Sequence, residues 1–346
     1  MVKKLTMSSK ALLIGVIFVF LVIFSLLFWP QNLNNYEKKI IIKSGFNLKK
    51  ISNILFEESI VSSPKLFILA TKLLGKEREI PVGAFTLVNA NTNFSIIKQL
   101  VNGTPEIIKV QLIEGWNIKQ MSIELNKTLG FDLSDLMNLS RNKTFLLKHN
   151  INANSIEGYL FPDTYKFFLG ETPISVFNLL VDKHNDFWIS AYELRAEELS
   201  LTKHEVITLA SIIEGEAIFD SERARISGVY HNRLKLKMKL QADPTIQYII
   251  SDSPRRLLNR DLRIDSPYNT YMYKGLPPGP INSPGKKSLI AALYPEENNY
   301  IFFVARGDGF HTFTTNERQH NIAKKRFQSI RNKYRKKKNN AKTKIK

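Results

Sequence analysis

The sequence predicts an α+β protein with a single N-terminal transmembrane helix. Ala11 to Trp29 form 19 consecutive uncharged and mostly large apolar positions, which as a helix would span about 28 Å, close to the hydrocarbon thickness of a bilayer. Beyond this run, short strand patterns and helix patterns follow one another in mixed order. A hydrophobic content of 43% and an aromatic content of 11% are typical of a folded chain.

The apolar run (residues 11–29) is expected to remain attached as a signal anchor. No small-residue cleavage site follows it, because the next residues are Pro30 and Gln31. Three lysines precede the run within residues 1–10, whereas the first lysine beyond it is Lys38. The positive-inside tendency therefore places residues 1–10 in the cytoplasm and the bulk of the chain outside.

The basic charge of the chain lies at its two ends. Residues 324–346 contain twelve Lys or Arg and no acid, and residues 1–30 contain three Lys and no acid. Of the formal charge of +19, these two segments leave only +4 for residues 31–323. A nucleic-acid-binding protein shows a basic stripe on its folded body, so we expect no nucleic-acid partner. The basic tail, residues 324–346, is expected to be disordered.

Residues 40–105 predict a small mixed module. Ile40–Ile42 has the pattern of a strand, Asn47–Glu58 and Pro64–Leu74 those of two helices, and Gly83–Val88 that of a returning strand. This strand–helix–helix–strand order resembles the LysM-like module, which implies contact with the glycan of peptidoglycan. The alternative is a packing spacer that holds the next domain away from the membrane.

Residues 106–323 predict a larger mixed α+β domain. Its predicted strands are Ile107–Ile113, Leu234–Leu240, Tyr300–Ala305 and His311–Thr314. Its predicted helices, in chain order, are Ile118–Leu129, Asp132–Asn150, Pro173–Leu194, Thr202–Ala217, Ser221–Leu234, Lys287–Tyr294 and Asn316–Phe327. Asp243 stands where it could cap a further short helix, and the Pro-, Gly- and Tyr-rich stretch 266–285 predicts a stiff loop of the kind that carries function.

The helix predicted at Thr202–Ala217 carries the candidate catalytic residue. Thr202 and Glu205 have the spacing of a capping box. Glu214 lies at the edge of the apolar face, while Glu216 falls roughly 200° further round the helix, so the two carboxylates are not expected to share one site. A carboxyl group held among apolar side chains has its charged form disfavoured, which suits a general acid. The alternative is a boundary Glu that points to water.

A second stretch, Glu157–Tyr165, brings together three aromatic residues, a Gly, a Pro and two acids. Aromatic clusters with a carboxylate suit the apolar faces and hydroxyl groups of sugars. The alternative is an aromatic loop that fills the core.

Common competing chemistries have no support in the sequence. The six His residues are dispersed without a metal-ligand spacing. No nucleophile elbow, P-loop or dinucleotide fingerprint is present. We therefore expect neither a metal nor a cofactor.

Several motifs, in order, resemble one known family. They are E-G-Y-L-F-P-D-T-Y, S-I-I-E-G-E-A, S-E-R, Y-H-N-R-L, L-Q-A-D-P-T, Y-N-T-Y, G-L-P-P-G-P-I-N-S-P-G and F-V-A-R-G-D-G-F-H-T-F. Over roughly Ile40 to Ala323 the chain is similar to the YceG-like (MltG) endolytic murein transglycosylases. The resemblance implies a bacterial inner-membrane enzyme that cuts nascent glycan strands between MurNAc and GlcNAc, with cell-wall synthases as possible partners.

The resemblance also implies the roles of individual residues. Glu214 corresponds to the first Glu of the family's I-x-E-x-E motif and would be the general acid and base, while the sugar's own C6 hydroxyl attacks and leaves a 1,6-anhydro end. The position between the two Glu, usually Lys in the family, is Gly215. From their polarity and their position in these motifs, Gln241, Asp243, Tyr271 and Asn282 are the candidates for glycan binding, and the alternative for each is loop scaffolding. Those expected in supporting ion pairs are Glu216, Glu222 and Arg233.

Two other functions stay open at this point. A lysozyme-type hydrolase would use Glu214 with Asp243 or Asp163 as its second carboxylate. A membrane-tethered peptidoglycan-binding scaffold would use no catalytic residue at all.

Overall fold

The computed structural model describes residues 7–31, 35–251 and 253–343. The chain divides into two compact units. The first contains the described residues up to Val110 together with Lys166–Val176, and the second contains Gln111–Tyr165 and the described residues from Phe177 onward.

The first unit begins with helix α1, Met7–Phe28. Its stretch Lys10–Phe28 has a mean hydropathy of 3.2 and is the one helix among the described residues long and apolar enough to cross a membrane. Most of its side chains are exposed, as expected for a helix whose natural surroundings are lipid. Of the predicted cytoplasmic segment, residues 1–10, the first six lie outside the described residues.

The strand–helix–helix–strand order predicted after the anchor is confirmed. The elements are β1 (Glu37–Ile42), α2 (Leu48–Glu57), α3 (Pro64–Leu73) and β2 (Gly83–Val88), followed by α4 (Asn93–Asn102). Strands β1 and β2 are antiparallel, with a register that runs from Glu37 opposite Val88 to Ile42 opposite Gly83. The likeness of this module to LysM stays a prediction.

Two short strands, β3 (Ile107–Gln111) and β4 (Thr164–Phe168), pair with each other. The second unit is otherwise mainly helical, and its strands β5 (Phe302–Ala305) and β6 (His311–Thr314) form an antiparallel hairpin. Its helices are α5 (Ile118–Leu129), α6 (Leu133–Leu139), α7 (Lys143–Lys148), α8 (Pro173–Phe187), α9 (Ser190–Glu198), α10 (Lys203–Glu216), α11 (Asp220–Lys235), α12 (Asp243–Ile249), α13 (Lys286–Leu293) and α14 (Glu317–Thr343).

Helix α10 lies at the centre of the second unit. Every residue from Val206 to Ile213 is buried, because α10 packs against α9, α11, α12 and α13. The predicted capping box is confirmed: the Thr202 side chain accepts from the Glu205 N–H, and the Glu205 side chain accepts from the Thr202 N–H. The start of the helix is thus set by local sequence and its position by apolar contacts on all sides.

Four predictions of elements are wrong. Asp132–Asn150 is not one helix, because a turn at Ser140–Arg141 separates α6 from α7. Pro173–Leu194 is not one helix, because the chain is extended at Ile189 between α8 and α9. Leu234–Leu240 is not a strand: α11 continues to Lys235, and Lys237 then takes a left-handed turn with φ of 51°. The alternating Leu and Lys of this segment reflect the exposed end of a helix followed by a loop that buries Leu240.

The fourth wrong prediction is the disordered tail. Helix α14 continues through Thr343, and only residues 344–346 of the predicted tail lie outside the described residues. Residues 317–343 contain no Pro or Gly and are rich in Lys and Arg, which are good helix formers. The helix is also held by packing, since Phe327 and Ile330 approach the turn at Gly307.

Candidate active site

Glu214 lies in the last turn of α10 and is held by two donors. Its Oε1 atom is 3.1 Å from Nη1 of Arg223, and its Oε2 atom accepts a 3.0 Å hydrogen bond from the Gly285 N–H. Only 7% of the Glu214 side chain is exposed. The side chain is therefore neither turned to bulk water nor packed only against apolar groups. An arginine and a backbone N–H are partners that suit a charged carboxylate.

Arg223 stands at the centre of an acidic cluster that the sequence analysis did not identify. Its Nε donates to Asp220 Oδ1 at 3.0 Å, and Asp220 also pairs with Lys287. Glu114 lies beside Glu214: its pKa is raised by burial and by the Glu214 charge, while Arg223 and Lys287 oppose the rise. Glu114 is 100 residues before Glu214 in the chain, so no spacing rule could have joined them.

Glu216 lies two residues after Glu214 and has different surroundings. The hydroxyl of Tyr230 donates to its Oε1 at 3.1 Å. Burial, followed by the negative charge of Asp243, raises the pKa of Glu216 from 4.5 to about 8. A Glu with this pKa is mostly protonated at neutral pH. Among the described residues Glu216 forms no ion pair of the kind expected: its donors are the Tyr230 hydroxyl and the Asp243 N–H, and the nearby Arg233 charge only partly offsets the rise of its pKa.

Glu216 and Asp243 line two adjacent pockets. One pocket has a volume of about 370 Å³ and is also lined by Arg233, Gln241, Tyr271 and His311. The other has a volume of about 730 Å³ and is also lined by Asn117, Pro244, Tyr248 and Asn282. The four expected binding residues thus lie in this pair of pockets, with Gln241 and Tyr271 on one side, Asn282 on the other, and Asp243 in both.

The binding candidates differ in what they leave free. Tyr271 donates to Asp243 Oδ1 at 2.5 Å, so Asp243 does not serve as the helix cap that the sequence predicts; Ala242 precedes α12 instead. The Asn282 amide donates to the carbonyl of Ser211 at 2.9 Å, whereas its buried Oδ1 has no partner among the described residues. Gln241 adopts a left-handed backbone conformation with φ of 50°.

The other two residues expected in ion pairs are both engaged. Glu222 accepts from the backbone N–H of His311 at 3.0 Å and lies 2.9 Å from its Nδ1. Among the described residues Arg233 has no carboxylate partner: its guanidinium donates at 2.6 Å to the carbonyls of Ile301 and Leu240. Arg233 therefore connects the end of α11 to the β5 side of the first pocket.

The aromatic stretch Glu157–Tyr165 fills the core. Tyr159 and Tyr165 are each 5% exposed, and the partly buried ring of Phe161 stacks on Phe187, so the three rings pack within the protein. Glu157 is 3% exposed, and burial raises its pKa to about 8. Its Oε1 accepts from the Ile118 N–H at 2.9 Å. The interpretation of this stretch as a sugar platform is wrong, and the core-filling alternative applies.

Comparisons with known proteins agree on one family. Residues 40–326 match the sequence model of the YceG-like family. The endolytic murein transglycosylase of Bacillus subtilis (strain 168) is 32% identical over 306 residues, which cover 84% of this chain and 85% of that protein. The endolytic murein transglycosylase of Streptococcus pneumoniae serotype 2 is 25% identical over 299 residues, and the matched region spans 53% of its length.

A solved structure shows the same fold. The crystal structure of a yceG-like protein from Listeria monocytogenes superposes with a TM-score of 0.58 at 27% sequence identity, covering 84% of this chain and 99% of that one.

Proposed function

Because this chain belongs to the YceG-like family, we propose that it is an endolytic murein transglycosylase that cuts glycan strands between MurNAc and GlcNAc and leaves 1,6-anhydro-MurNAc ends. The names of the Bacillus and Streptococcus relatives support the reaction and the substrate class. The pair of pockets supports the endolytic mode, since cleavage inside a strand needs room for sugars on both sides of the bond.

The observation that carries the proposal is the position of Glu216. It is a carboxyl group whose pKa of about 8 keeps it protonated at neutral pH, and it stands where the two pockets meet. A general acid must hold its proton until the leaving oxygen needs it. We therefore assign the proton donor to Glu216. Glu214, the residue that the sequence predicts, lies against Arg223 and remains the alternative.

The reaction then proceeds with one carboxyl group. Glu216 gives its proton to the glycosidic oxygen, the bond from that oxygen to C1 of MurNAc breaks, and positive charge develops at the ring as in glycoside cleavage generally. The C6 hydroxyl of the same sugar attacks C1 and loses its proton to Glu216. The acid is thereby regenerated, the anhydro ring is closed, and no water is consumed.

Neighbouring residues supply the binding contacts in this proposal. Asn282 lines the second pocket and would hold an N-acetyl group of the glycan there. The Tyr271 hydroxyl already donates to Asp243, so both residues would accept hydrogen bonds from sugar hydroxyls, and the negative charge of Asp243 helps to keep Glu216 protonated. Gln241 binds the glycan from the first pocket.

A lysozyme-type hydrolase is the second candidate, because Asp243 lies beside Glu216 and could serve as the second carboxylate. Mass analysis of digested glycan strands separates the two reactions: anhydro ends support the transglycosylase, and reducing ends support the hydrolase.

The same assay identifies the acid. We expect Glu216→Gln to lower the cleavage rate by about 10²–10⁴-fold, the usual contribution of general acid–base catalysis, while the protein stays folded. Glu214→Gln is the matched variant: it removes a charge from the Arg223 cluster and is expected to lower thermal stability more than the rate per folded molecule. Loss of cleavage in Glu214→Gln alone would return the role to Glu214.

The location follows from α1 in this proposal. A single pass through the bacterial inner membrane, with the N-terminus in the cytoplasm, puts both units on the side where peptidoglycan is made. The β1–α2–α3–β2 module would contact glycan as LysM-like modules do. Cell-wall synthases would be its neighbours at the membrane.

A further inference from the structure

The end of the membrane helix is built into the core of the small module. Leu27 is 8% exposed and belongs to the module's buried core, and Ile23 and Leu26 pack against that core. The Asn93 amide at the start of α4 donates to the Leu26 carbonyl at 2.8 Å. The Phe28 ring lies 5.1 Å from the ring of Phe94.

These contacts lie inside the apolar run. At a rise of 1.5 Å per residue, Ile23 is about 8 Å along the axis from Phe28, the last residue of α1. A helix of this length has little apolar sequence to spare over the hydrocarbon thickness. If α1 spans the bilayer, the parts of the module that touch Ile23 and Leu26 must therefore lie at the depth of the lipid headgroups or below.

The module presents an apolar face beside these contacts. On α3, Leu66, Leu69 and Leu73 are 47%, 54% and 49% exposed and share one stripe at the i, i+3, i+7 spacing; we call them the leucine stripe. Helix α3 itself contacts α1. Exposed apolar stripes of this kind are costly in water and mark a surface that is covered.

Basic residues border this face. Lys65 and Lys72 lie roughly a quarter-turn round α3 from the leucine stripe, where their long stems can extend along apolar surface while the charges reach out. Next to Phe94 is a cleft of about 220 Å³, lined chiefly by Leu74, Ile97 and Val101 with Lys76 and Lys98 at its edge. An apolar surface with lysines at its rim complements acyl chains and anionic headgroups.

We propose that the leucine stripe and the cleft beside Phe94 rest in the outer leaflet of the membrane that α1 crosses, with the bordering lysines on the phosphates of anionic phospholipids. The inference rests on α1 as a transmembrane helix and is independent of the glycan chemistry. By this proposal the module is a monotopic lipid-binding unit that is continuous with the anchor. It is not a domain held away from the membrane by a linker.

The test uses the full-length chain in phosphatidylglycerol-containing nanodiscs. The sequence contains no cysteine, so Leu69→Cys gives a single labelling site for an environment-sensitive fluorophore. Lys43→Cys is the matched control, because β1 leads away from the anchor. Just before the strand begins, Tyr36 is hydrogen-bonded to Asn89 and Ala90. Lys43 is the first residue after the opposite end of the strand.

We expect the label at Leu69 to be quenched by spin-labelled lipid and shielded from aqueous iodide, and the label at Lys43 to show the reverse. Equal access of iodide to both positions would overturn the proposal. Shielding of Leu69 from both quenchers would overturn it as well, since it would mean that protein, such as a second copy of the chain, covers the stripe. Neither result depends on whether the chain cleaves glycan.

Discussion

The pKa of Glu216 predicts where activity is lost as the pH rises. With a pKa of about 8, roughly 90% of Glu216 is protonated at pH 7, whereas a Glu at the ordinary value of 4.5 would be about 0.3% protonated. The surroundings of Glu216 therefore raise its protonated fraction at pH 7 by about 300-fold, and in the proposed mechanism this is the fraction that can donate a proton. We expect kcat/KM for glycan cleavage to be constant from about pH 5.5 to 7 and to fall tenfold per pH unit above about pH 8.

Asp243→Asn sharpens this prediction. The Asp243 charge is the second cause of the raised pKa, after burial, so its removal must move the alkaline limb of kcat/KM to lower pH. The midpoint of this limb should stay above the ordinary pKa of a Glu, because Glu216 is still buried in the variant. The assay is the initial rate of anhydro-ended product formation, measured by mass spectrometry from pH 4 to 10 with the full-length protein in detergent.

Folding stability provides an independent check on the same group. The unfolded chain releases the Glu216 proton near pH 4.5 and the folded chain near pH 8, so between these values the unfolded state binds fewer protons and stability falls as pH rises. Glu216→Gln removes this cost, and its Tm relative to the native chain should increase from pH 5 to pH 8. A limb of kcat/KM near pH 4.5, with a Tm difference independent of pH, would refute the reasoning.

Three further predictions concern the surroundings of the site. Arg223→Met leaves buried acids without their cation, including Glu214, and should lower the free energy of unfolding by about 3 kcal/mol in urea titration. Gly215→Ala should lower both Tm and cleavage, since an added Cβ would lie 2.6 Å from the ring of Pro244 in α12. Such overpacking costs about 1–3 kcal/mol of stability, which exceeds the gain in helix propensity of about 1 kcal/mol. Truncation of residues 334–346 should leave cleavage unchanged, whereas truncation of 324–346 should reduce it because it removes two residues that line the first pocket.

Local signals in the sequence were sufficient for most elements. The capping box at Thr202, the bounds of α5 at Ile118–Leu129 and the register-defining strands of the module all follow from spacing over a few residues. The predictions that failed depend on partners far away in the chain. The alternating Leu-Lys segment after α11 has the period of a strand but no strand to pair with, and the aromatic loop is buried by α8 and its neighbours rather than exposed to sugar.

The choice between Glu214 and Glu216 shows the same limit at the site. An i, i+2 spacing establishes that two carboxylates on one helix diverge, and this was predicted correctly. Which of them faces a cleft depends on the packing of α11, which contacts both carboxylates: Arg223 lies on Glu214, and Tyr230 donates to Glu216. The sequence distance of 14 residues between Tyr230 and Glu216 gave no signal of that contact.

Gly215 explains how the two environments can be so close. With no Cβ, it lets Pro244 approach α10 to a distance at which any side chain would collide, 2.6 Å from the place of an added Cβ. Pro244 follows Asp243 directly, so this close approach also holds the Asp243 charge near Glu216, where it raises the pKa. The residue between the two carboxylates thus acts through its absence of bulk: a glycine that weakens the end of an isolated helix here sets the separation between Glu216 and the Asp243 charge that raises its pKa.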